Sequence, residues 1–85
     1  VHPEGVEALA VTLRELGLGR PADVVGVDGR GALAQRLLAM GFLPGSRLEI
    51  VQVAPFGDPV TVEIDGWRVS LRLAEAASLR VEPRP

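Results

Sequence analysis

Residues 60–71 read Val60-Thr61-Val62-Glu63-Ile64-Asp65-Gly66-Trp67-Arg68-Val69-Ser70-Leu71. Val60, Val62 and Ile64 alternate with Thr61 and Glu63, then Trp67, Val69 and Leu71 alternate with Arg68 and Ser70. That is the period of a strand with one apolar face. Asp65-Gly66 between the two runs is a two-residue turn, because Asp and Gly tolerate positive φ. The turn fixes the register. It sets Ile64 opposite Trp67, Val62 opposite Val69 and Val60 opposite Leu71 on the inward face. Glu63 then meets Arg68, and Thr61 meets Ser70, on the outer one. A slip of one residue would turn every apolar side chain to water, so the pairing is strongly specified. The Glu63–Arg68 pair adds about 0.2–1 kcal/mol.

Outward from this hairpin, Arg47 to Val53 reads as a preceding strand with broken alternation. Leu48 and Ile50 share one face, Val51 and Val53 the other. Either both faces are buried or a bulge near Val51 re-aims the strand. Asp23 to Val27 and Leu79 to Glu82 are shorter strand candidates. One helix is expected over about residues 32–40, where Leu33, Leu37 and Met40 recur at helical spacing. Gly41 suits the left-handed position after a helix, and Phe42 is placed to pack back on Leu37. Leu43-Pro44-Gly45-Ser46 reads as a type II turn. Near the start, Val6, Leu9, Ala10, Leu13 and Leu16 fit a helical face, yet Val11 to Leu13 also suits a short strand.

With 85 residues the chain holds one small domain, and 10 Gly and 7 Pro divide it into segments too short for a helix bundle. An all-β barrel with tight turns fits this punctuation. Hydrophobic residues at 47% against 24% charged ones describe a globular chain. There is no Cys, a lone His2 and no Lys, since all 9 basic residues are Arg. Thiolate metal centres, disulfides, Cys nucleophiles and His-based triads are thereby excluded. A net charge of −2 argues against a broad phosphate-binding surface, and three aromatic residues are too few for a nucleic-acid stacking platform. No apolar run reaches the length of a membrane span, and no signal peptide is expected. Six acidic residues (Asp23, Asp28, Asp58, Asp65, Glu63, Glu75) are too dispersed for an oxygen-ligand loop.

Three motifs carry a resemblance. Arg36-Leu37, Met40-Gly41 and Pro44-Gly45 form RL..MG..PG. Ala54-Pro55-Phe56-Gly57-Asp58-Pro59-Val60 follows. Leu71-Arg72, Glu75-Ala76 and Val81 then form LR..EA....V. Together with Thr12-Leu13, Leu16, Gly19, Val24 and Val27 upstream, their order and spacing resemble the FeoA family over about residues 12–82. The resemblance implies a small SH3-like β-barrel with one helix inserted after the first strand. It implies that Thr12-Leu13 opens that strand and that Arg14-Glu15-Leu16 forms a turn. Residues 1–11 would then be an N-terminal tail or extension, or a local helix, and residues 83–85 a C-terminal tail.

The family's implied role is that of a cytoplasmic, non-enzymatic accessory of bacterial ferrous iron uptake. It would act on the cytoplasmic part of the FeoB-type GTPase-coupled permease, without cofactor, nucleic acid or direct membrane insertion. Two other roles stay open. One is the SH3-like regulatory domain of an iron-dependent repressor, and the other a stand-alone metal carrier. The residue types oppose the carrier, since a lasting iron site is not expected without Cys and with one marginal His. Exposed strand edges leave homo-oligomers open as well.

The motif residues have plain structural duties to weigh against function. Leu37, Gly41 and Gly45 suffice as core, cap and turn. Leu38 and Met40 widen the helix's apolar stripe beyond what a small barrel buries, so they are candidates for a partner-binding groove. Pro55 and Pro59 restrict a loop that holds Phe56 at its tip, as an interface anchor requires. Asp58 is counted with them, although its carboxylate could serve only to cap its own turn. The candidate partner-binding set is therefore Leu38, Met40, Pro55, Phe56, Asp58 and Pro59, with no catalytic and no metal residues.

Overall fold

A computed structural model describes residues 10–84. Along them run β1 (Val11–Thr12), α1 (Leu13–Leu16), β2 (Pro21–Val27), α2 (Ala32–Ala39), β3 (Arg47–Val53), β4 (Val60–Ile64), β5 (Trp67–Leu71), α3 (Leu73–Ala76) and β6 (Leu79–Pro83). The strands form one six-stranded sheet in the order β1-β6-β2-β3-β4-β5, and every strand pairing is antiparallel. The extension foreseen for residues 1–11 lies mostly outside the described residues. Val11 stands inside the sheet, paired with Val81.

The β4–β5 hairpin has the register its sequence predicts, from Ile64 opposite Trp67 to Val60 opposite Leu71. Asp65 at φ 49° and Gly66 at φ 82° make the two-residue turn, whose twist matches that of the strands. Depth differs from expectation at one residue. Trp67 lies on the apolar face but is 74% exposed, whereas Ile64 opposite it is buried. Ile64 has Leu48 of β3 on its other side. Trp67 belongs to the edge strand and, among the described residues, has a strand neighbour on one side only.

Two bulges bend the sheet around a single core. One breaks the β3–β4 register between Ile50 and Gln52, where the sequence alternation fails. The other breaks the β2–β6 register between Val24 and Gly26. Bulges sharpen local twist and curvature. The bent sheet encloses Leu13, Leu16, Leu37, Phe42, Leu48, Ile64, Leu71, Leu79 and Val81 in one buried cluster.

α2 ends as its sequence requires. Gly41 takes φ 103°, the Phe42 N–H donates to the Leu37 carbonyl at 3.2 Å, and the Gly41 N–H donates to the Leu38 carbonyl at 3.0 Å. These two bonds satisfy carbonyls the helix end would leave unpaired, and they drive Phe42 into the core. Gly45 at φ 90° and the 3.0 Å bond from the Ser46 N–H to the Leu43 carbonyl complete the turn into β3. The inserted helix follows the second strand, not the first, because two-residue β1 precedes β2. α1 is a single turn. Its Glu15 accepts from the Thr12 N–H at 2.9 Å and from the Thr12 hydroxyl at 3.0 Å. Those two hydrogen bonds hold the Glu15 carboxyl below its ordinary value.

Candidate functional site

The loop between β3 and β4 is built from its prolines. Pro55 and Phe56 are the central residues of a turn closed by the Gly57 N–H on the Ala54 carbonyl at 2.8 Å, with Gly57 at φ 88°. Proline in the second position and glycine in the fourth suit a type I turn. The Ala54 N–H donates to the Pro59 carbonyl at 3.1 Å, drawing the loop's ends together. The Asp58–Pro59 peptide bond is cis. The outcome is a tight knuckle with Phe56 at its tip, 99% exposed. Exposed Pro55 and Val53 flank it.

Asp58 acts beyond its own turn. Its Oδ1 accepts from the Leu73 N–H at 3.1 Å, fifteen residues along the chain. Leu73 opens α3, so its N–H has no partner within that helix. Glu75 of α3 in turn accepts from the Arg72 N–H at 2.8 Å and binds the Arg36 guanidinium of α2. Two carboxylates thus join the knuckle to α3 and α3 to α2. The three sequence motifs meet through these bonds.

The two helix candidates do not share one flank. Leu38, on α2, and Met40, the residue that caps its end, are two positions apart, about 160° apart around the helix axis. Met40 shares its flank with Arg36, which reaches α3, and Met40 is half-buried against the core. Leu38 looks out from the opposite flank, 37% exposed. Pro59 is half-buried at the base of the loop.

Sequence reasoning passed over other exposed apolar residues. Leu18 is 63% exposed beside its isolated parallel bridge to Ile50, and Leu43 is 51% exposed after α2. Trp67 stands at the far end of the hairpin from the Pro55–Pro59 loop. Next to it an open groove of about 330 Å³ is lined by Arg47, Leu48, Glu49, Glu63, Asp65 and Gly66. Glu49 and Glu63 face each other across β3 and β4, and Arg68 binds Glu63 at 3.2 Å. Among the described residues no three His, Cys, Asp or Glu side chains come together as a metal site. None of the described helices is long and apolar enough to cross a membrane.

Residues 11–83 match the FeoA domain family. The chain belongs to the FeoA family. A relative in Porphyromonas gingivalis (strain ATCC BAA-308 / W83), named an Fe(2+) transport protein A/Fe(2+) transporter FeoB fusion protein, is 46% identical over 70 residues. The match takes in 82% of this chain and 8% of the relative, so this chain spans less than a tenth of that protein's length. The solution structure of iron(II) transport protein A from Clostridium thermocellum superposes with a TM-score of 0.80 at 41% identity, over 86% of this chain and 45% of that one. Zinc-complexed FeoA of Stenotrophomonas maltophilia, described as a procaryotic SH3 domain protein, gives a TM-score of 0.76 at 34% identity over 85% of this chain and 89% of that one. The fold is therefore the small SH3-like barrel that the motifs implied. A manganese-dependent transcriptional repressor shares that fold, with a TM-score of 0.80 at 22% identity over 88% of this chain and 37% of its own. Of these proteins, the relative and the solved structure that share most identity with this chain are both named for iron(II) transport.

Proposed function

We propose that this chain is a non-enzymatic accessory of ferrous iron uptake that works on the cytoplasmic side of the membrane. It docks on the cytoplasmic part of a FeoB-type permease. The observation that carries this reading is Phe56. An aromatic ring 99% exposed contributes nothing to the core, yet its backbone is fixed by Pro55 and by the tether from Asp58 to Leu73. Such an anchor loses little freedom on binding, and buried aromatic anchors dominate interface energies. The fused relative supports the choice of partner, since it joins a protein A and a FeoB transporter in one polypeptide. Pro55 and Pro59 shape the anchor and Asp58 fastens it. The two flanks of α2, with Leu38 on one and Met40 on the other, are the surfaces a larger partner would reach next.

Calorimetric titration of the permease's cytoplasmic region tests this. Phe56→Ala should weaken binding about tenfold or more, the loss expected of a central anchor. The same change should leave stability within about 0.5 kcal/mol, so weakened binding would not reflect unfolding. Undiminished binding by both Phe56→Ala and Met40→Ala would reject this surface. Absence of binding by the native chain would reject the accessory role.

A further inference from the structure

The sheet has two edges of unlike character. β1 offers two residues, too few to template another strand. β5 offers five, regularly paired on its inner side and, among the described residues, without a strand on its outer side. Natural edges are guarded by charged side chains, above all Lys, by Pro, by bulges or by short length. Of these guards β5 carries a single charge, Arg68. The chain contains no Lys, β5 contains no Pro, and its pairing with β4 runs without a shift. Its one charge, Arg68, is bound to Glu63 at 3.2 Å.

The turn geometry says which backbone groups are free. In a two-residue hairpin the residues flanking the turn exchange both hydrogen bonds, and such pairs alternate along the ladder. Trp67, Val69 and Leu71 therefore spend their N–H and C=O groups on β4. Arg68 and Ser70 point theirs outward, and among the described residues no loop or cap hydrogen bond takes them.

We propose that β5 is a self-complementary docking edge, at which a second copy of this chain adds its own β5 antiparallel about Val69. This register places Arg68 of each copy opposite Ser70 of the other. All four outward groups of each strand then find partners, and no like charges meet across the junction. Val69 faces its own counterpart as a close pair without hydrogen bonds. Trp67, 74% exposed in the single chain, comes to lie opposite Leu71 of the second copy. One step further, Gly66 faces Arg72, which brings that guanidinium beside Asp65. None of the ion pairs among the described residues uses Asp65 or Arg72. The two-fold symmetry supplies this complementary charge contact at both ends of the junction.

Absence of Cys makes the test clean. In the proposed pair, the two Val69 Cα atoms stand about 4.5 Å apart, within disulfide range. Val69→Cys should form a disulfide dimer under mild oxidant at least about tenfold faster than Ser70→Cys, whose thiol faces Arg68 instead of itself. In sedimentation equilibrium the native chain should move from monomer to dimer as its concentration rises. Ser70→Lys, which sets Lys opposite Arg68 twice, should weaken that association about tenfold. Equal crosslinking of the two cysteine variants would overturn the proposal. So would a native chain that stays monomeric to about 1 mM, or a dimer indifferent to Ser70→Lys.

Discussion

Both connections around β4 turn the chain back on itself, yet they work by different means. The Asp65-Gly66 turn is closed by its own two residues, with positive φ at each and the strand register fixed on either side. The Pro55–Pro59 loop is shaped by local residues but placed by a distant one, through the bond from Leu73 to Asp58. The first is a fold device and leaves Trp67 at its edge. The second presents a ring to solvent and spends a carboxylate to hold it there. A turn can be complete within four residues. A positioned loop needs something outside itself.

The sharpest way to break this contrast is at Gly66. Gly66→Val forces a β-branched residue to φ 82°, and should cost about 1–3 kcal/mol. Urea unfolding should show a lower midpoint with the slope unchanged, because the unfolded surface is the same. Removing the outside support of the loop should cost less. Asp58→Ala leaves the Leu73 N–H without its carboxylate and should lower stability by about 0.5–2 kcal/mol. Asp58→Asn, which keeps an acceptor oxygen, should recover part of the loss. An Asp58→Ala effect equal to that of Asp58→Asn would mean that the oxygen at this position does no holding.

The smallest effect is the local counterpart of that tether. Glu15 caps Thr12 three residues away, and its hydrogen bonds from the Thr12 N–H and hydroxyl lower its folded pKa below the ordinary carboxylate value. A carboxyl with a depressed folded pKa adds stability that is full above its unfolded pKa. That stability fades as pH falls through the folded pKa. Thr12→Ala removes the hydroxyl donor and keeps the N–H. It should raise the Glu15 pKa part of the way toward its ordinary value, as followed by NMR titration. A pKa that does not move would assign the whole shift to the backbone bond.

These cases show why parts of the molecule were legible in the sequence and others were not. The hairpin register and the Gly41 helix end depend on neighbours within a few residues, and residue type reveals them; near Val51 the broken alternation marked an irregularity but left a bulge and a doubly buried strand both open. Thr12 and Glu15 also stand at capping-box spacing, a local signal that was there to use. Asp58 finds its donor fifteen residues away, and Arg36 meets Glu75 thirty-nine residues away. No periodicity encodes such meetings. Trp67 illustrates a third case. Alternation assigned its face correctly, but cover depends on what lies beside a strand, and among the described residues no strand lies beyond β5 in the sheet. Leu38 and Met40 illustrate a fourth. Both carry apolar side chains on one helix, and only its rotation and the Arg36 contact show that they look in different directions.

The place of β6 between β1 and β2 has a consequence for the order of events during synthesis. The final strand, Leu79–Pro83, pairs with the first, and Val81 meets both Val11 and Val24. Until it emerges, β1 has no partner in the sheet, β2 has one bare edge, and the core lacks Leu79 and Val81. The β2–β5 portion can pair as it is made, since each of its strands adds to the one before. The barrel itself waits for its last five-residue strand, so completion is a single late step that joins the beginning of the domain to its end.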